Sequence, residues 1–470
     1  MAVLRYDKEN EKMRLTVWDR LSEGEKEEVF SFCEEYKWFL DSGKTEREVV
    51  DLVVDMAGAK GFRPLGAAGP LKPGDKVFSV NRNKEVVLAV VGGAPVESGL
   101  RIIGAHIDSP RLDLKPEPLY EEEALSLMKT HYYGGIKKYH WVGAPLSLHG
   151  VVVKESGETV KIRIGDLAGD PVFTITDLLP HLSKDQMEKK MSEAVTGESL
   201  NLLVGGMPVS SPGQEIKERI KEGVAALLRE RYGIREEDFI SAELEVVPAW
   251  PSGDVGFDRS LLGAYGQDDR VSAFTAIKAL LGMDTPSRTA VVLLADKEEI
   301  GSEGNTGMQS AFLENFIAEL IAGVENKYSD LVLRRTLSAS AALSADVNAA
   351  VDPSYKDVMD LLNSARINRG VVVTKYTGSR GKSGSSEAGA EFVARVRDVF
   401  NRSGVCWQTG ELGKVDQGGG GTIAYLLAAY NMDVLDCGVA ILGMHSPFEV
   451  AGKADIYMAY KAYRAFLEKI

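Results

Sequence analysis

The chain has 470 residues, 44% of them apolar and 26% charged, which suits a soluble globular protein, long enough for two to three domains or equally for one large α/β domain carrying an insertion. Its formal net charge of −14 argues against nucleic acid, which needs clustered Lys and Arg to displace counterions, and against an anionic membrane surface. No apolar run approaches the roughly 18 residues that span a bilayer. Met1 to Arg14 reads as neither a signal nor a transit peptide, and Cys33, Cys406 and Cys437 are too scattered for a disulfide framework. A cytoplasmic location with reduced thiols is expected.

In chain order, helix-like apolar spacing covers about Glu23 to Asp41 and Thr45 to Ala59. Lys76 to Val91 predicts a hairpin hinged on Asn81 to Lys84, and Arg101 to Asp108 (RIIGAHID) a short buried strand that runs into His and Asp. From about Leu114 to Val247 the character changes to short β-rich runs (HGVVVKES, ETVKIRIG, PVFTITD), a polar stretch, and an amphipathic helix near Gln214 to Tyr232. After Pro248 strands and helices alternate. The strands are TAVVLLAD, SAALSADV, GVVVTK and VAILGMHS; the helices start near Asp269, Thr306, Ser385, Thr422 and Ala451. Such alternation implies a mainly parallel or mixed sheet covered by helices. The predicted class is α/β: a three-layer α/β/α domain from residues 1–113 and 248–470, with a smaller β-rich domain, 114–247, inserted.

Four apolar strands run into metal-competent side chains: RIIGA into His106 and Asp108, AVVLLAD into Glu298 and Glu299, AALSA into Asp346, and VAILGM into His445. Asp268 is a fifth candidate, where a helix begins. Ligands of open α/β sheets bind beyond the carboxyl ends of the strands, so these groups can share one rim. Each alone has a plain explanation as a structural histidine, a solvated Glu pair or a turn Asp. Together, two His, several carboxylates and no Cys suit zinc, cobalt or manganese. Two metals need a bridging carboxylate, for which Asp268 is chosen, and one Glu can bind metal while its neighbour takes a proton from water. Asp108 can accept the second ring N–H of His106.

The ordered segments GAHIDSPRLDLKP, DKEEIGSEG, LSADVNAAVDP and LGMHSPFE, with GGIKKYHW and PLSLHGVVV, make the whole chain resemble the aspartyl aminopeptidase and aminopeptidase I family of dinuclear zinc exopeptidases. The resemblance implies that His106, Asp268 and Asp346 hold one ion, and that Asp268, Glu299 and His445 hold the other. It makes Glu298 the general base and Asp108 the support of His106. Many relatives have Leu-Asp-Asn or Leu-Asp-Asp at the bridge, where this chain has Gln267-Asp268-Asp269. The substrates implied are peptides with a free amino terminus. Acid-preferring relatives carry a Lys that matches Lys375 at the end of GVVVTK; other relatives prefer neutral residues. Relatives use the inserted domain for dimerisation and build tetrahedral dodecamers, within which His140 of KKYHW can either pack or reach a neighbouring subunit's site.

Other features have plainer readings. Gly378 to Ser383 imitates a phosphate loop but has two residues, not four, between its first Gly and the Gly-Lys pair. Gly418, Gly419 and the two glycines after them form either a flexible turn or backbone N–H donors near substrate. His131, His149 and His181 read as structural. Competing functions are a carboxypeptidase or deacylase on the same scaffold, and a non-catalytic shell protein.

Overall fold

The computed structural model describes residues 15–210, 217–325 and 328–470. Met1 to Arg14 and the first three residues of the helix expected from Gln214 lie outside them. The chain divides into two compact units, one made of Met1–Asp108, Ser252–Met444 and Phe448–Ile470, the other of Ser109–Pro251 and His445–Pro447.

The first unit opens with α1 (Glu23–Ser42) and α2 (Glu46–Gly58), close to the expected bounds. Each starts in a capping box: Ser22 with Glu25, and Thr45 with Glu48. Such a cap satisfies backbone donors left over at the first turn and contributes about 1 kcal/mol. The strands of the main sheet are β1 (Arg63–Pro64), β2 (Lys76–Asn81), β3 (Glu85–Val90), β4 (Arg101–His106), β5 (Ala290–Ala295), β6 (Ala341–Ser344), β7 (Val371–Thr374), β8 (Trp407–Thr409) and β9 (Asp433–Gly438), in the order β1-β2-β3-β5-β4-β6-β9-β7-β8. The neighbours β5, β4, β6 and β9 run parallel. The helices are α3 (Gln267–Leu281), α4 (Phe312–Glu325), α5 (Asp330–Ser338), α6 (Ala390–Arg402), α7 (Ala424–Ala428) and α8 (Lys453–Lys469).

Both faces of this sheet are covered. Ile103 and Ala105 of β4, with Val292 and Leu294 of β5, join a core that includes α1, α2, α3, α6 and α8. Ile102, Val291, Leu293 and Ala295 join the opposite core, with α4, α5 and α7. Alternating side chains that are apolar on both faces are what a buried parallel strand requires. Phe274 of α3 meets the rings of Phe32, Tyr36 and Phe39 at 5.2–5.3 Å. Burying each such side chain contributes about 1.5–3 kcal/mol.

The structure corrects several expectations. VAILGMHS is not a strand of the main sheet. That place is taken by β9, and Ala440–Leu442 belongs to a five-stranded sheet with Gly253–Val255, Leu261–Ala264, Glu449–Gly452 and Asn348–Ala349. The chain leaves β9 at Gly438, where any Cβ would overlap the carbonyl of Asp346. The helices expected at Thr306 and Ser385 begin at Phe312 and Ala390, and α5 was not anticipated.

The second unit holds a six-stranded antiparallel sheet in the order Thr159–Ile164, Leu146–Val153, Ala242–Pro248, Arg111–Glu122, Leu125–Tyr133, Asn201–Gly205. A helix, Arg219–Tyr232, ends on left-handed Gly233 and lies against three of these strands. PVFTITD forms only isolated bridges at Phe173, Thr174 and Ile175.

Candidate metal centre

Three adjacent parallel strands, β5, β4 and β6, open on one rim, and His106 is the last residue of the middle one. Among the described residues, two sets of side chains bring their ligand atoms within 4.8 Å of one another: His106, Asp269 and Asp346, and His106, Asp268 and Glu299. His106 Nε2 lies 3.2 Å from Asp268 Oδ1 and 4.0 Å from Asp346 Oδ1.

Asp268 and Asp269 reach this point because the chain has not yet become helical. Their backbone angles (φ −80°, ψ 105° and φ −115°, ψ 26°) interrupt the first turn of α3, and the peptide between them is cis. The turn is pinned on both sides. The Gln267 side-chain amide donates to the carbonyls of Leu262 (3.1 Å) and Glu449 (2.7 Å), and the Asp268 N–H donates to Glu449 Oε2 at 3.0 Å. Asp269 Oδ2 accepts the His106 N–H at 3.3 Å. Sequence reading offered one Asp of this pair; the structure brings in both. Glu449 had no signal at all, because an acid inside a strand of PFEVAG resembles any other.

Asp108 does more than face His106. The nearer acceptor to His106 Nδ1 is the Asp108 backbone carbonyl at 3.0 Å, with the carboxylate at 3.4 Å. Its two carboxylate oxygens accept the N–H groups of Glu298 (3.1 Å) and Glu299 (3.2 Å), so it ties the Glu–Glu turn to the end of β4. Lys297, in the left-handed region at φ 66°, turns the chain into that position.

A carbonyl can only accept, so His106 Nδ1 carries a proton, which leaves Nε2, facing the acids, as the atom that can ligate a cation when it is unprotonated. Burial pulls the His106 pKa down, but the hydrogen bonds its ring N–H groups donate to Asp108 and Asp268 raise it well above its usual value. Burial, reinforced by Asp346, pushes Asp269 well up; burial likewise raises Asp346, against the lowering effect of His106. Crowded acids around one imidazole are costly in a low dielectric unless cations lie among them. An imidazole with several carboxylates is the donor set that zinc, manganese or cobalt takes, so these residues fit a divalent metal.

The remaining candidates belong to neither set. His445 falls in the segment counted with the second unit, where Nδ1 meets the Gly135 carbonyl at 2.8 Å. That contact gives it the same tautomer as His106. His140 occupies a turn, Lys138–His140, with Nδ1 buried and without a hydrogen-bond partner; burial and then Lys137 lower its pKa. Lys375 follows β7, which runs antiparallel to β9, so the strand-end rule does not set it beside His106. It is half exposed, 3.6 Å from Glu387. Gly418 and Gly419 do not start a helix: Gly419 pairs with Ser379 in a two-stranded ribbon, and a Cβ on Gly418 would overlap the Leu412 carbonyl.

Residues 39–467 match the sequence model of the family described as aminopeptidase I zinc metalloprotease (M18). The chain belongs to the M18 family. The probable M18 family aminopeptidase 1 of Thermotoga maritima is 50% identical over 459 residues, 97% of this chain and 99% of that one. Its counterpart from Clostridium acetobutylicum is 49% identical over 454 residues, 96% and 97% of the two chains. The crystal structure of an M18 aminopeptidase from Thermotoga maritima has a TM-score of 0.93 at 49% identity and covers 97% of this chain and 99% of its own. The S. cerevisiae mApe1 dodecamer, at 21% identity and a TM-score of 0.74 over 93% and 97% of the two chains, shares the fold. This M18 chain is a metal-dependent aminopeptidase with the α/β exopeptidase fold.

Proposed function

We propose that this aminopeptidase releases the amino-terminal residue of peptides with two divalent ions, zinc ahead of cobalt or manganese. His106, Asp268, Asp346 and Glu299 are ligands, and the sequence resemblance adds His445. The observation that carries the reading is His106 Nε2 directed at Asp268 and Asp346, with Glu299 in the same cluster. When bound, such ions polarise a carbonyl and acidify water. The chain's own groups do the rest. Asp108 fixes the turn, Glu299 serves as a ligand, and Glu298 takes a proton from the attacking water and returns it to the leaving amine. Metal analysis of the purified protein, with assays on matched free and amino-acetylated peptides, tests this. Two ions per chain and loss of cleavage on acetylation are expected; equal cleavage of both peptides points instead to a deacylase or carboxypeptidase.

For the amino-terminal residue, where selection of Asp or Glu by Lys375 stands beside a neutral-residue preference, we infer the neutral one. Thr374, buried, accepts a hydrogen bond from Asn348 Nδ2 at 3.0 Å, two residues from Asp346. Lys375 is already opposite Glu387, ahead of α6. Comparing kcat/KM for Asp, Glu and Leu substrates should reveal a Leu-type preference that Lys375→Met leaves within about threefold. A ten- to hundredfold loss confined to acidic substrates, the scale of a charge-assisted hydrogen bond, would restore the acid-selecting role.

Assembly into a homo-oligomer, of the tetrahedral dodecamer type, belongs to the same reading and draws support from the fold shared with a chain solved as a dodecamer. So does a cytoplasmic location. No helix among the described residues is long and apolar enough to cross a membrane.

A further inference from the structure

Beside edge strand β8, three strands away from β6, a cavity of about 420 Å³ is lined by Arg20, Arg366 and Arg369 together with Trp407 and Gln408. Three guanidinium groups around one cavity are unusual in a chain of net charge −14. The acceptors that hold Arg20 and Arg366 are neutral, and one of those that hold Arg369 is too. Arg366 donates to the carbonyls of Ser364 (3.1 Å) and Leu361 (2.6 Å), Arg369 donates to the carbonyl of Leu15, and Arg20 lies 3.9 Å from the sulfur of Cys406. Among the described residues, no carboxylate is ion-paired with Arg20 or Arg366. The acids felt by Arg369 are Asp19 and the buried Asp455, and Asp19 is itself bonded to Thr16. Burial, then Arg366 and Arg20, lower the pKa of Arg369, so the three cations repel one another.

We propose that this cavity binds a small ligand bearing a phosphate- or carboxylate-type oxyanion, held by Arg20, Arg366 and Arg369 at a site separate from the metal centre. A guanidinium presents a planar fork of donors that matches an oxyanion in a bidentate manner. Anchoring to backbone carbonyls fixes Arg366 and Arg369 in advance, so little side-chain freedom is lost on binding. The Gln408 carboxamide is oriented by its contacts with the Arg366 N–H and carbonyl, and the half-buried Trp407 ring supplies an apolar wall for the body of the ligand.

The test is calorimetric titration of the full-length holoenzyme with inorganic phosphate and, separately, with succinate at matched ionic strength. Saturable binding of at least one anion is expected, and the ratio of the two affinities says which oxyanion the cavity takes. Arg20→Gln should weaken that binding about tenfold, and Arg20→Gln with Arg366→Gln about a hundredfold or more, while peptide hydrolysis is unchanged. Arg20 is exposed and its guanidinium meets the Cys406 sulfur at 3.9 Å, so its single substitution keeps the test interpretable if Arg366→Gln disturbs the fold. Absence of saturable binding by both anions at millimolar concentration overturns the proposal. So does binding that the arginine substitutions leave unaltered.

Discussion

At the scale of single residues, two adjacent glutamates have backbone N–H groups that share one acceptor, Asp108. In the proposed mechanism their roles differ: Glu299, which joins His106 and Asp268 in one set, is a ligand, and Glu298, which belongs to neither set, is the general base. Glu298→Gln is therefore expected to keep its metal while turnover falls by roughly two to four powers of ten, the scale of a lost general base. His445→Ala should instead lose one of the two ions. Metal content and kcat measured on the same preparations check both. Full activity of Glu298→Gln at saturating metal would remove it from the mechanism. Asp268 and Asp269 make the complementary point: neighbours in sequence, one faces His106 Nε2 and the other the His106 backbone.

At the scale of elements, the strands that carry the centre have acids buried beside them. Glu85, the first residue of β3, is almost wholly buried; burial raises its pKa from an ordinary 4.5 to about 8, although Asn81 Nδ2 donates to it at 3.0 Å. A carboxyl whose folded pKa lies above its unfolded value binds more protons in the folded state across that interval. Its contribution to stability is thus fully present below about pH 4.5 and is lost as pH rises toward 8. Glu85→Gln keeps an acceptor for Asn81 and removes the titration. Melting curves should show the variant's Tm advantage widening from pH 5 to pH 8. A difference independent of pH would mean that Glu85 ionises normally. Gly418, just ahead of the ribbon strand Gly419–Gly420, is the other position with a specific demand, because only glycine fits against the Leu412 carbonyl.

At the scale of the whole molecule, exposed apolar side chains gather in the second unit, where Leu182, Met187, Met191 and Met207 are each at least 66% exposed. Large apolar side chains left this exposed are candidates for an interaction surface. Purified protein should therefore run as a stable homo-oligomer in light scattering at micromolar concentration, and Leu182→Asp with Met187→Asp should shift it toward smaller species. A monomer that is fully active at that concentration would separate function from assembly.

Much was determined by sequence alone. The capping boxes at Ser22 and Thr45, the hairpin from Lys76 and the buried strands ending at His106 and Ala295 are local, since each follows from side-chain period and turn chemistry within a few residues. The same holds for the motif residues His106, Glu298, Glu299 and Asp346, which sit where apolar strands stop. Pairing and direction, by contrast, are not written in a segment. VAIL is more apolar than VLDCG, yet only the sheet partners decide that VLDCG joins the main sheet while VAIL turns into another. GVVVTK reads the same whether its strand runs parallel or antiparallel, yet that direction decides where Lys375 lies. The dual duty of Asp108, the entry of Asp269 and the support from Glu449 depend on residues 160 to 190 positions apart, brought together only by the tertiary fold.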